Sequence, residues 1–219
     1  YDIVSLIPAF CAAFLGQGEF ETGGIALREQ INVVEMDYSV GSLKDVDQYL
    51  EAVHAIQDQI PDQTYTNTWC QKLGKEKICL YYFGAGHTNG DSFVHFQHAN
   101  IVHCGDLVFN RRHPFVDRGA GANMKSWINV IDKALQTFDA KTRFVYGHSG
   151  TGFDITGNAD DLKAFRDYIG NVLKFVEGEM KSGKSKEEIL KATLIPGSEA
   201  WKTEGIQRPL QAAWEELQG

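Results

Sequence analysis

The chain has 219 residues, which is long enough for one sizeable layered core. Hydrophobic residues make up 43% and charged residues 23%, a balance that excludes a disordered or collagen-like chain. Twenty-one basic against twenty-nine acidic residues give a net charge of -8, which excludes a general phosphate-binding surface and hence nonspecific nucleic-acid binding.

No apolar run approaches the roughly 18 to 20 residues that span a bilayer. The longest candidate, Ile3 to Leu15, is interrupted by Ser5 and Pro8 and lacks the basic start of a signal peptide. The sequence therefore reads as soluble, without a membrane segment, and either cytoplasmic or periplasmic/secreted. The chain begins at Tyr1 rather than Met, so an upstream segment is expected to have been removed or omitted. Four cysteines (Cys11, Cys70, Cys79 and Cys104) are too few and too scattered for a disulfide scaffold, and there is no CxxC pair. Cys70 and Cys79 could face each other across a hairpin, but two unpaired, buried thiols are the expectation.

In chain order, residues 1 to 40 carry the weakest pattern: an apolar stretch, a group of glycines and a short strand candidate at Ile31 to Met36. Ser42 to Gln59 is predicted as a helix, capped by Ser42 with Asp45 and carrying Leu43, Val46, Leu50, Val53 and Ile56 on one face. Tyr65 to Leu73 and Lys77 to Phe83 flank a turn at Gly74, and Ser92 to Gln97 and Ile101 to Cys104 flank one at His98 to Asn100. A helix follows through Met124, Trp127, Ile131 and Leu135, then a strand at Arg143 to Tyr146. A long helix runs from Leu162 to Met180 with Asn158 as its cap, and another is capped by Ser185 with Glu188. The segment from Trp201 to Trp214 is expected to form a C-terminal helix that docks on the domain or on a second copy. Strands first, then strand–helix alternation, predict a layered α/β or α+β domain.

Three glycine-flanked segments each place a metal-ligand type just after a predicted strand. They are Gly86-His87-Thr88-Asn89-Gly90-Asp91, Cys104-Gly105-Asp106-Leu107 and Tyr146-Gly147-His148-Ser149-Gly150. Glycine permits sharp turns and close backbone approach, and strand-end loops on a rigid sheet are preferred sites for ligands and catalytic groups. Imidazole and carboxylate suit zinc and other borderline divalent ions. Taken singly, each segment reads as an ordinary loop. Together, in this order, they read equally as a site or as three ordinary loops.

These segments resemble the metallo-β-lactamase superfamily. His87 to Asp91 is similar to its His-Thr-x-Gly-Asp segment, Gly105-Asp106 to its Gly-Asp segment, and Gly147-His148-Ser149 to its Gly-His-Gly segment with serine in the last place. The resemblance covers about Thr64 to Leu194, within a single domain of residues 1–219 whose part from 1 to 60 is atypical. It implies a four-layer αββα sandwich. It also implies that His87 ligates a first metal, His148 a second, and Asp106 bridges them as the catalytic centre, with Asp91 in support. The cofactor implied is zinc or another divalent metal, up to two ions. The activity implied is hydrolysis of an ester, amide, thioester or phosphoester bond in a small-molecule substrate by metal-bound hydroxide.

One departure qualifies this. The superfamily's His-x-His-x-Asp-His motif is absent, and the one histidine before His87, His54, falls inside the predicted helix. Aligning Thr22-Gly23-Gly24 with the end of that motif leaves Gly16, Gly18, Phe20 and Glu21 at the ligand positions, and of these only Glu21 could bind a metal. The metal site has therefore decayed, or is completed by a missing segment, or is repurposed around one ion. The alternative function is a catalytically inactive domain of this fold that binds a ligand or partner.

The remaining candidates are weaker. Arg111 and Arg112 could hold an anionic substrate group, against the plainer reading of a solvated loop. His113 lies in the same loop, bordering the expected site. His95, His98 and His103 read as hairpin surface or satisfied partners, and Cys104 as a buried thiol with no adjacent base. No nucleophile-elbow serine motif or Walker-type loop is present.

Overall fold

A computed structural model describes residues 64–218. The chain divides between Thr66 and Asn67 into two compact units, and every element below belongs to the second. The helix expected from Ser42 to Gln59, the early strands and Glu21 lie outside the described residues, as does part of the single-domain expectation.

The unit opens with the hairpin β1 (Thr68–Leu73) and β2 (Glu76–Tyr81), joined by a two-residue turn in which Gly74 takes φ +60°. β3 (Phe93–Phe96) and β4 (Ile101–His103) form the second predicted pair, turned by Asn100 at φ +53°. Both turns use residues that tolerate the left-handed region. β5 (Phe109–Asn110) and the long α1 (Met124–Thr137) follow, then β6 (Arg143–Val145), β7 (His148–Ser149) and β8 (Thr156–Gly157). Three helices close the chain: α2 (Ala159–Lys181), α3 (Lys186–Ile189) and α4 (Gln207–Gln218).

Among the described residues six strands form one sheet in the order β1-β2-β3-β4-β6-β8, while β5 and β7 form a separate two-stranded parallel sheet. The large sheet is antiparallel as far as β4. β6 then joins β4 in parallel, because the chain has crossed over through α1 in between. α1 and α2 pack against each other. Trp127, Ile131, Phe165 and Ile169 are buried at the apolar spacing that the sequence shows.

Two of the predicted caps form, and that at Ser42 lies outside the described residues. The Asn158 side chain accepts a hydrogen bond at the start of α2 and builds a capping box with Asp161, and Ser185 does the same with Glu188. The Ser185 helix is only one turn, α3. The C-terminal helix begins at Gln207, so Trp201 lies outside it. Trp201 instead stacks on Tyr168 with ring centroids 4.6 Å apart. α4 buries Leu210 and Ala213 and packs on α2, which is docking on the domain itself. Among the described residues no helix is long and apolar enough to cross a membrane.

One expectation is overturned. Cys70 and Cys79 are joined by a disulfide, whereas Cys104 is free and buried. The two-residue turn sets the hairpin register so that Cys70 pairs directly with Cys79, with Cα atoms 4.1 Å apart. Directly opposed residues share one face of the sheet, which brings the two sulfurs together.

Candidate functional site

The three glycine-flanked segments converge. His87 lies in the loop between β2 and β3. Asp106 lies in a 3₁₀ turn (Gly105–Leu107) just after β4, and His148 opens β7 after β6. β2 is separated from β4 by β3, and β6 lies directly beside β4, so the sheet order alone brings the three strand ends to one region.

Local sequence then fixes each side chain. Gly147 donates its N–H to the Gly105 carbonyl at 2.8 Å, and any Cβ at position 147 would run into Asp106 Oδ1 and the Gly105 backbone. A side chain there would push Asp106 and His148 apart, which is why the Gly-His pair needs its glycine. The Asp106 turn is anchored from below, where Trp127 Nε1 donates to the Leu107 carbonyl at 3.0 Å. His148 is set by the small sheet, since Phe109 of β5 pairs with it in register and stacks on its ring at 4.9 Å. Asp91 accepts from the Thr88 N–H at 2.6 Å and the Thr88 hydroxyl at 2.7 Å, while its other oxygen faces His87 Nδ1 at 3.5 Å.

The charge arrangement is unusual for a protein interior. His87 is 1% exposed and Asp106 is 4% exposed. Asp106 Oδ2 lies 3.6 Å from His87 Nε2, and its other oxygen, Oδ1, lies 3.5 Å from His148 Nε2. Among the described residues neither ring nitrogen of His87 has a hydrogen-bond partner. Burial pulls the His87 pKa down, but Asp91, Asp106 and Asp117 outweigh it and the net shift is upward. Burial likewise raises the Asp91 carboxyl, but His87 and Thr88 hold it below its ordinary value.

This donor set fits a divalent metal in chemistry and in spacing. Two ligands about 2.0 to 2.2 Å from one tetrahedral ion lie roughly 3.3 to 3.6 Å apart. Asp106 shows that separation to an imidazole on each side, with a different oxygen toward each. The set is incomplete, because among the described residues no group of three or more His, Cys, Asp or Glu side chains surrounds a single ion position.

The other candidates divide. Arg111 is engaged beside the N-terminus of α2. Its guanidinium is 4.8 Å from the Trp201 ring and 5.8 Å from that of Phe153, bonds Asn110 Oδ1 at 3.3 Å, and lies 3.8 Å from Asp161. Arg112 is exposed. His113, read as part of a loop bordering the site, is a buried core residue whose Nδ1 is 2.7 Å from the Tyr168 hydroxyl. Burial pulls its pKa to about 4, against an opposing hydrogen bond with the Trp201 backbone. His103 accepts from the Gly105 N–H at 3.3 Å, and burial likewise takes it to about 4.

Sequence reasoning missed Phe109 and Asp117. Asp117 donates its backbone N–H to the His87 carbonyl at 3.3 Å and caps the turn at Arg118–Ala120 through its side chain. Its only signal was its place in a stretch following the Asp106 segment.

No protein-family model and no curated protein matches this chain. Solved structures do. The stereoselective inverting sec-alkylsulfatase Pisa1 from Pseudomonas sp. is 14% identical and covers 72% of this chain at a TM-score of 0.56, and a double mutant of the same sulfatase gives 0.59 at the same identity and coverage. The chain spans about a quarter of the sulfatase's length, 26% and 27% in the two structures. A metallo-β-lactamase from Pontibacter korlensis is 22% identical, with 54% of each chain covered and a TM-score of 0.44. The described part thus has a mixed α/β fold, which it shares with the sulfatase over 72% of this chain.

Proposed function

We propose that the chain carries part of the divalent-metal centre of a hydrolase, with zinc the ion best suited to its donors. The observation that supports this is the Asp106 carboxylate, buried between two imidazoles at ligand spacing with one oxygen toward each. In this reading His87 and His148 are neutral nitrogen donors to two separate positions, and Asp106 is shared between them. Asp91 holds the His87 ring from behind, as a carboxylate partner does for a ligating histidine. When bound, the metal supplies water activation and Lewis acidity at the scissile bond. The rest of the ligand set has to come from outside the described residues. Ester, amide, thioester and phosphoester substrates are the classes to screen, with sulfate esters added by the likeness to the sulfatase. The Cys70–Cys79 bridge argues for an oxidising compartment, and so for a periplasmic or secreted protein.

A second reading, a binding domain without catalysis, draws on the same incompleteness of the described donor set. Metal content per chain, measured by plasma mass spectrometry on protein of recorded intact mass, separates the two. The expected result is between about one and two equivalents of zinc, iron or manganese. Protein that takes up none after incubation with zinc sinks the hydrolase reading and leaves the binding domain.

A further inference from the structure

The side chain of Glu216, in the last turns of α4, is 5% exposed although it is a carboxylate. Its two oxygens accept from the first two N–H groups of α1. Oε2 takes Met124 N at 2.7 Å and Oε1 takes Lys125 N at 2.9 Å. Arg118 Nη1 reaches the same Oε2 at 3.2 Å and also donates to the Ala122 carbonyl at 2.9 Å. A helix start leaves several N–H groups without partners in the helix, and negative charge is favoured there. Glu216 supplies both the acceptors and the charge from 92 residues away in sequence.

The segment that Glu216 clamps is the one that holds His87. Between Asp117 and Asn123 three backbone hydrogen bonds reach across to the His87 loop. Asp117 donates to the His87 carbonyl at 3.3 Å, Asn123 to the Gly86 carbonyl at 3.1 Å, and Asn89 donates back to the Ala120 carbonyl at 2.9 Å. Gly121, at φ +82°, lets the two segments touch, since a Cβ there would come within 2.9 Å of Asn89 Cβ. The loop that carries His87 and Asp91 therefore rests on the Asp117–Asn123 segment, which rests on Glu216.

We infer that Glu216 is a positioning residue for His87, and that α4 is a structural part of the candidate metal site. The metal half of this inference rests on the function proposed above; the positioning half does not. The test uses the full chain and two variants, Glu216→Ala and Glu216→Gln. The amide retains one acceptor oxygen, so it should restore part of what alanine loses. In Glu216→Ala, mass-spectrometric hydrogen exchange should rise at least about tenfold over residues 86–91 and 117–125, while Val172 in α2 stays at the wild-type rate. Glu216→Gln should fall between. Zinc affinity should drop about tenfold in Glu216→Ala, in the range for groups that act through a ligand, and recover partly in Glu216→Gln. Unchanged exchange over 86–91 overturns the inference, as does a uniform rise across the whole unit. If Glu216→Ala does not fold, Glu216→Gln is read by the same criteria. If the wild-type chain takes up no zinc, the proposed function fails, and the exchange pattern still decides whether Glu216 positions the His87 loop.

Discussion

His87 and His113 are both buried histidines, 1% and 5% exposed, yet their surroundings are opposite. His113 Nδ1 meets a tyrosine hydroxyl at 2.7 Å and stays neutral, with a pKa near 4 because burial disfavours its charged form. Among the described residues neither ring nitrogen of His87 has a hydrogen-bond partner, and the ring faces a carboxylate on each side, so its pKa shifts upward although it is the more buried of the two. The difference teaches how to read a buried imidazole. One with its ring satisfied by neutral partners is core. One whose nitrogens face buried carboxylates at more than hydrogen-bond distance stores unmet electrostatic demand, which a cation can satisfy.

The sharpest way to break this comparison is to remove the carboxylate that His87 shares with His148. Asp106→Ala should lower zinc affinity by more than about 100-fold, since even groups that act only through a ligand cost about 10 to 100-fold. Any hydrolysis by the intact protein should vanish with it, with the fold checked by circular dichroism. Unchanged zinc binding, measured by calorimetry, would make the His87 environment an internal ion-pair network and erase the contrast with His113.

A smaller effect is expected on the His113 side, in stability rather than in metal uptake. The folded-state pKa lies below the ordinary histidine value, so the unfolded chain binds the proton first as pH falls. Stability is whole above about pH 6.5, is lost between about 6.5 and 4, and falls no further from this cause below 4. His103, also taken to about 4, acts in the same window. His113→Asn should remove up to about 3 kcal/mol of that pH-dependent loss, at about 1.4 kcal/mol per pKa unit, and leave zinc uptake intact. Urea midpoints at pH 7 and pH 4.5 check this. An unchanged pH dependence in the variant would mean that His113 is not held neutral.

The smallest effect on the site is expected from the hairpin. Replacing Cys70 and Cys79 together by serine opens a loop closed across nine residues of sequence, which costs less than about 3 kcal/mol by loop entropy. Among the described residues β1 is an edge strand with little burial, so the change should appear as faster hydrogen exchange over 68–73 and leave zinc binding at the wild-type value. A parallel loss of zinc binding would show that the hairpin is coupled to the site.

Much of the described fold was legible because its signals are local. The Asn158 and Ser185 caps, the Gly74 and His98–Asn100 turns and the apolar faces of α1 and α2 each depend on a few neighbouring residues. His87, Asp106 and His148 were legible for the same reason, since each sits in a short glycine-bearing turn after a strand. His113 was misplaced because nothing within its own loop announces that Tyr168, 55 residues on, fills the space beside it. The Cys70–Cys79 bridge is compatible with the hairpin in sequence but not dictated by it, because sequence spacing does not give the pairing register that brings two sulfurs face to face. Glu216 carried no signal at all, its partners being 91 and 92 residues away.

By itself, then, the sequence determined the helices and hairpins of the described part, the strand-end placement of three ligand-type residues and the family they resemble, because backbone preferences and turn chemistry act over a few residues. Only the tertiary structure decided that Asp106 stands between His87 and His148, that His113 is core, that Arg111 is committed to Trp201 and Asp161, and that a carboxylate near the C-terminus braces the His87 loop. Those outcomes depend on sheet order and on which surfaces are removed from water together, and long-range packing of that kind leaves no mark on local sequence.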